Sequence, residues 1–383
     1  MKRRQVIKRI TALFLTAASV FLIGQGSPAF WAGLGNRIAL LAVGLQKPEG
    51  GAAALSAQLQ AKTAAATPAT TAPAPTTAAT TGETTAPTDA VQADSANVTR
   101  ITLPSCNEKA PEKAANAGAV SEQKISPGSD PVEGVCVRNR SGKALDIAAA
   151  LTKTPDIHID RKSDQPQVLI VHTHTTEGYL TYDAGFYNPA DVERTQDHTK
   201  NICAAGESIA KALRAAGIAT LHDTTVHDYP KYTGAYSRSE QTVKAAMEKY
   251  PTVKVVLDVH RDAMIANDTH TKPTVTVNGQ KAAQMMIIAG VVSTAALPHP
   301  NWEQNFRFAV RLQQSLATTY PDLMRPLSLV ASRYNQHLAN GYLLVEIGTD
   351  VNTVSEAVYS GEMLGKTLAN LLNSNWEIGR AHV

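Results

Sequence analysis

From about residue 166 onward, short β-branched runs alternate with amphipathic helical stretches, and this alternation limits the fold more than any other feature. VLIVH (168–172) reads as a strand by its β-branched content and length. In KNICAAGESIAKALRAAG, Ile202, Ala205, Ile209, Ala212 and Leu213 share one helical face, and Gly217 closes the helix. IATLH (218–222) is a second strand; SRSEQTVKAAMEKY is a helix ended by Pro251, with Ser237 or Ser239 as its cap. VKVVLDVH (253–260) is a third strand. In TVTVNGQKAAQMMIIAG, Asn278-Gly279 between two alternating runs predicts a hairpin. A long amphipathic helix from Trp302 to Thr319, strands at SLVAS (328–332) and YLLVEIG (342–348), and a final helix in SEAVYSGEMLGKTLANLL complete the pattern. The expectation is an α/β domain, a mainly parallel sheet with helices on both faces.

Such sheets bind ligands beyond the carboxyl ends of their strands. Three strand ends carry ligand-type residues: VLIVHTHTTE, VVLDVHRD and LLVEIGTD. Neutral imidazoles with one carboxylate are the donor set of a catalytic zinc, Zn2+, and a further carboxylate then serves as base. The candidate ligands are His174, His260 and one acid; Glu346 is the candidate base. His172 either shares a face with His174 or orients it. Arg261 and Asp262 contact substrate or brace the site, and Tyr334, Asn335 and Gln336 line a groove. His198, His222, His227, His270, His299 and His337 read as ordinary polar residues.

The chain start has a different character. MKRRQVIKR is basic, ITALFLTAASVFLIG is apolar, and no charge follows until after Asn36. That reads as a signal peptide or a signal anchor, with a retained single-pass anchor in the cell membrane favoured over a cleaved signal; either way everything downstream is exported. Residues 47–98 are an Ala/Thr/Pro-rich stretch that cannot bury a core, a disordered linker. The expected layout is an anchor region at 1–46, the linker at 47–98, an N-terminal extension of unread role at 99–165 and the catalytic domain at 166–376. The last residues, 377–383, leave the helix pattern and back-translate to a sequencing-adapter stem, so they are expected to be a non-native tail. A net charge of +3 gives no electrostatic footprint for nucleic acid. Three cysteines make no disulfide framework, although Cys106 and Cys136 can pair outside the cytoplasm.

The segment from about 166 to 376 resembles the stage II sporulation protein P family, which is related in fold to the zinc-dependent N-acetylmuramoyl-L-alanine amidases. The resemblance rests on HTHTTE (172–177), DVHRDA (258–263) and VEIGTDVNT (345–353), with the basic anchor and tether in the same layout. It implies an amidase-like fold, zinc on His174 and His260, and catalysis by Glu346. In the wider amidase group a glutamate ligand precedes an asparagine by four residues; with Asn201 as that asparagine, the position holds Asp197, one methylene shorter. Glu177, three residues after His174, is the rival third ligand, and the other acid orients a histidine. The implied activity is peptidoglycan hydrolysis at the N-acetylmuramoyl-L-alanine amide, with endopeptidase cleavage of cross-links, during endospore engulfment. Implied partners are the lytic transglycosylase stage II sporulation protein D and the membrane protein stage II sporulation protein M. Two other readings stand beside it: a non-catalytic wall-binding scaffold, and another exported metal hydrolase such as a glycan deacetylase.

Overall fold

The computed structural model describes residues 108–376, all within one compact unit, Gln92–Val383. Its chain begins with β1 (Gly118–Gln123), β2 (Val137–Asn139) and α1 (Ile147–Leu151). β3 (Val168–Val171), β4 (Phe186–Tyr187), α2 (Ile202–Ala215), β5 (Thr220–His222), α3 (Ala235–Lys249) and β6 (Val255–Asp262) follow. Next come β7 (Ile265–Ala266), β8 (Thr269–Val277), β9 (Gln280–Ala283) and β10 (Met285–Gly290). α4 (Trp302–Thr319), β11 (Leu327–Val330), β12 (Tyr342–Thr349) and α5 (Val354–Asn373) complete the order.

Seven strands form the main sheet in the order β2-β11-β10-β12-β6-β3-β5. The expected mainly parallel sheet is corrected to a mixed one. β12, β6, β3 and β5 run parallel to one another; β10, β11 and β2 form a second parallel block; and β10 meets β12 antiparallel. The reason lies just upstream of β10. Asn278 and Gly279 both take positive φ (48° and 79°), which turns β8 back into β9 as a tight hairpin, and β9 feeds β10 almost directly. A connection without a crossover helix brings β10 in from the far end of the sheet.

The all-apolar run of β3 suits a strand covered on both faces. Val168 and Ile170 face the core shared by α2, α4 and α5, and Leu169 and Val171 face α3. Side chains of successive residues take opposite faces, so one sheet serves two layers. The α2–α5 contact is close: a Cβ on Gly361 would stand 2.7 Å from the Ala205 carbonyl oxygen, and one on Gly365 would stand 2.7 Å from that of Ile209. Asn201 caps α2 by accepting from the Cys203 N–H, and Thr353 with Glu356 forms a capping box on α5. The cap expected at Ser237 or Ser239 is displaced, because α3 starts at Ala235 behind Gly234, and the Ser239 hydroxyl meets Thr173 inside the fold.

Residues 108–165 build into the same unit. β1 pairs with β8 and β4 in a small second sheet, and β2 extends the main sheet beside β11. Cys136 is a buried free cysteine; its expected partner Cys106, the anchor, the linker and the 377–383 tail lie outside the described residues. Among the described residues no helix is long and apolar enough to cross a membrane.

Candidate active site

Parallel pairing of β3, β6 and β12 brings their carboxyl ends to one sheet edge. His260 on β6 and Glu346 on β12 are register partners, so their side chains leave the same face. His174, three residues past the end of β3, reaches that face from the following loop. Its ring stacks on Tyr232 (centroids 4.4 Å apart) and meets His260 edge-on at 5.3 Å. Tyr236, in the first turn of α3, lies alongside the His260 ring, and Tyr334 packs against Tyr236. All three candidate residues are buried: His174 is 8% exposed, His260 2% and Glu346 3%.

His260 lies between two carboxylates. Its Nε2 is 2.9 Å from Asp258 Oδ1, and its Nδ1 is 3.5 Å from Glu177 Oε2. Asp258 is fixed in turn by the Thr173 N–H and hydroxyl, at 2.8 and 2.7 Å. Burial alone would strip the proton from His260, but the charges of Asp258 and Glu177 outweigh it and hold the imidazole well above its ordinary range. Burial also works against ionised Glu177, yet its hydrogen bond and charge interaction with His260, with help from His174 and Arg194, keep it below the usual carboxylate range. At His174 burial outweighs the charge of Glu177, and the neighbouring cations His260 and Arg194 add to it, so its pKa is pushed down to about 3 and it is a neutral imidazole at pH 7.

Glu177 is also held from behind. Its Oε2 accepts the Arg261 N–H at 3.0 Å, and Arg194 lies 3.6 Å from Oε1. Arg194 bridges to Asp228 at 2.5 Å and lies over the Tyr232 ring. Asp228 accepts from the Thr176 N–H and hydroxyl and stands 4.0 Å from His174 Nδ1. Asp197 does not join this group. It is exposed, and its Oδ1 accepts from the Thr199 N–H and hydroxyl in the turn before α2.

The remaining expected residues make bracing contacts. Arg261 Nε donates to the Gly178 carbonyl, and Asp262 pairs with Arg325. Asn335, in the left-handed region at φ 60°, donates to the Tyr236 carbonyl and the Ser239 hydroxyl, tying the loop after β11 to α3. His172 corrects the expectation of a shared face with His174. It continues the alternation of Val168 and Ile170 toward α2, where its Nε2 lies 2.9 Å from that of His222. His222, expected to be an ordinary polar residue, is buried, and its Nδ1 meets Glu207, which also holds Arg214.

Asp258, Asp228, Arg194, Tyr232 and Tyr236 were not singled out in the sequence. Asp258 had a legible signal, since it stands two residues before His260 on one strand and so shares its face. Asp228, Arg194 and Tyr232 sit in loops, where no periodicity points.

The donor chemistry of His174, His260 and Glu177 suits zinc: two imidazoles, one of them neutral, and an ionised carboxylate. His174 Nδ1 is buried without a hydrogen-bond partner, as a nitrogen kept for an ion would be. The tightest trio of donors among the described residues is elsewhere, at His172, Cys203 and His222, whose ligand atoms all lie within 4.8 Å of one another.

Comparison with known proteins adds a lineage. An N-acetylmuramyl-L-alanine amidase from Mycobacterium abscessus overlaps 55% of this chain and 99% of its own, at 12% identity and a TM-score of 0.32. The CwlD amidase from Clostridioides difficile, solved with the GerS lipoprotein, overlaps 54% of this chain and 99% of its own, at 10% identity and a TM-score of 0.35. Likeness at that level carries no functional argument. Stage II sporulation protein P of Bacillus subtilis (strain 168) is 28% identical over 244 residues, 60% of this chain and 57% of that protein. The chain therefore spans less than two thirds of that relative's length. The family model for stage II sporulation protein P (SpoIIP) matches residues 61–369, most of the 383, and the chain belongs to that family.

Proposed function

We propose that this chain is a zinc-dependent peptidoglycan hydrolase that cleaves the amide between N-acetylmuramic acid and L-alanine, with peptide cross-links as a second target. The observation that carries the reading is the register pairing of His260 with Glu346, beside His174 and Glu177 at one sheet edge. Membership of a sporulation family supports a role in endospore engulfment, with stage II sporulation proteins D and M as partners. In this reading the protein is anchored in the cell membrane with its catalytic domain outside.

His174, His260 and Glu177 would hold the ion. A zinc ion bound there supplies a Lewis acid and a water of lowered pKa. Asp258 orients His260 by fixing its Nε2 side, which leaves Nδ1 toward Glu177. Arg194 and the Arg261 N–H do the same for Glu177. Glu346 is the general base: it takes the proton of the attacking water and delivers it to the leaving amide nitrogen. Tyr232 and Tyr236 keep the histidine rings packed and dry on one side.

The test is digestion of purified peptidoglycan by the full chain with zinc, read by mass spectrometry of the released fragments, beside His174→Ala and Glu346→Gln. Free stem peptides from wild type, lost in both variants, are expected. Sugars bearing new amino groups would replace the amidase reading with a deacetylase. Wall binding without any released product would replace it with a scaffold.

A further inference from the structure

His172 and His222 face each other across two adjacent strand ends, and their hydrogen bonds fix both tautomers. His172 Nδ1 is 2.9 Å from the Val259 carbonyl oxygen, which can only accept, so Nδ1 carries the proton. His222 Nδ1 is 2.9 Å from Oε2 of Glu207, whose other oxygen is held by Arg214, so it too carries its proton. The two Nε2 atoms, 2.9 Å apart, therefore meet lone pair to lone pair. Such a contact needs a positive centre: an extra proton or a metal ion. The Cys203 thiol, in the first turn of α2, completes a trio within 4.8 Å. All three residues are buried.

The surroundings match those of a metal centre. A ligating histidine usually donates its other N–H to a carboxylate or a backbone carbonyl, and these two histidines supply one case of each. Zn–N bonds of about 2.0–2.1 Å put two tetrahedral nitrogens roughly 3.3 Å apart, so the pair need open by only a few tenths of an ångström. Gly206, one turn after Cys203, leaves room: a Cβ there would stand 2.6 Å from His172 Nε2 and 2.7 Å from His222 Nε2.

We propose that His172 Nε2, His222 Nε2 and Cys203 Sγ bind a divalent transition-metal ion of the zinc class, at a second site separate from the hydrolytic one. The imidazoles bind through their lone pairs, and the thiol proton leaves to solvent as the thiolate binds. The ion ties the ends of β3 and β5 to the start of α2. The loop that begins at His172 carries His174 and Glu177, so this clamp fixes the backbone of the neighbouring site. It does not rest on the hydrolase reading.

Cobalt(II) tests it, because a thiolate ligand gives a sulfur-to-cobalt charge-transfer band in the near ultraviolet. The chain has three cysteines, so Cys106→Ser with Cys136→Ser leaves Cys203 as the one thiol. Full-length protein of that kind, titrated with cobalt, is expected to show the band, as is wild type. Cys203→Ser and Gly206→Ala, each in that double-serine chain, are expected to lose it. His174→Ala with Glu177→Gln is expected to keep the band while total zinc falls by about one equivalent. A folded Cys203-only chain that takes up cobalt without the band, or takes up none, overturns the proposal and leaves a proton-linked histidine pair. Because the band reports Cys203 alone, failure of the hydrolytic site would leave it unchanged.

Discussion

His260 and Glu346 are direct register partners on adjacent parallel strands, although 86 positions separate them in the chain. In the proposed mechanism Glu346 acts as general base beside a ligand histidine and does not itself hold the ion. Glu346→Gln is therefore expected to keep the full metal content and the wild-type melting temperature. Its peptide release should fall on the order of 10²- to 10⁴-fold. Metal analysis and muropeptide mass spectrometry on one preparation would check both halves.

Of the two acids expected as third ligand, Glu177 and Asp197, the fold places only Glu177 against His260. Glu177→Gln should lose the ion at the hydrolytic site, and Asp197→Asn should retain it. Equilibrium dialysis against zinc, with a Cys203→Ser background to silence the second site, distinguishes them. Loss of metal in Asp197→Asn alone would reverse the assignment.

Arg194 supports Glu177 and Asp228 together while its own guanidinium stays one-third exposed. Arg194→Met should weaken zinc at the hydrolytic site by about 10-fold or more, as loss of a ligand's supporting partner does. The stability cost should be only about 1–2 kcal/mol, because solvent already screens much of the pair. Chelator competition and urea denaturation read the two effects.

The metal-free protein should be most stable near pH 6.5. Burial holds His172 and His174 down to about 3, below their ordinary value of 6.5, so between those values the unfolded chain binds protons that the folded chain does not. Stability therefore falls as the solution is acidified through that window. Glu177 and Asp258, both held below their ordinary values, deepen the loss below about pH 4. His260 acts oppositely: its folded form keeps a proton above 6.5, so its contribution fades as pH rises. Urea midpoints in the presence of a chelator should trace a maximum, and zinc should remove the alkaline decline, since it replaces the proton on His260.

Gly365 on α5 tests the helix contact behind the site. A Cβ there would meet the Ala212 Cβ and the Ile209 oxygen at 2.7 Å, so Gly365→Ala should cost about 1–3 kcal/mol despite its better helix propensity. Gly185→Ala, with nothing within 4 Å, should be nearly neutral. Chemical denaturation of the pair is the measurement.

The elements were legible in the sequence because local patterns encode them. The apolar run of 168–171, the Asn278-Gly279 turn and the 302–319 helix all appear where their residues predict. The strand-end positions of His174, His260 and Glu346 follow from the same patterns, since a strand's direction determines which end its last residues occupy. What the tertiary structure decided is which distant segments meet. The antiparallel entry of β10 depends on how β9 leaves the small sheet, which no window of the main-sheet sequence contains. The choice of Glu177 over Asp197 beside His260 depends on how the loop after β3 folds back, with Arg194 and Asp228 holding it. His222 read as an ordinary strand end, and only the β3–β5 register, Ile170 beside His222, turns it toward His172. Backbone periodicity is a property of neighbours in sequence, whereas a ligand set is a property of neighbours in space.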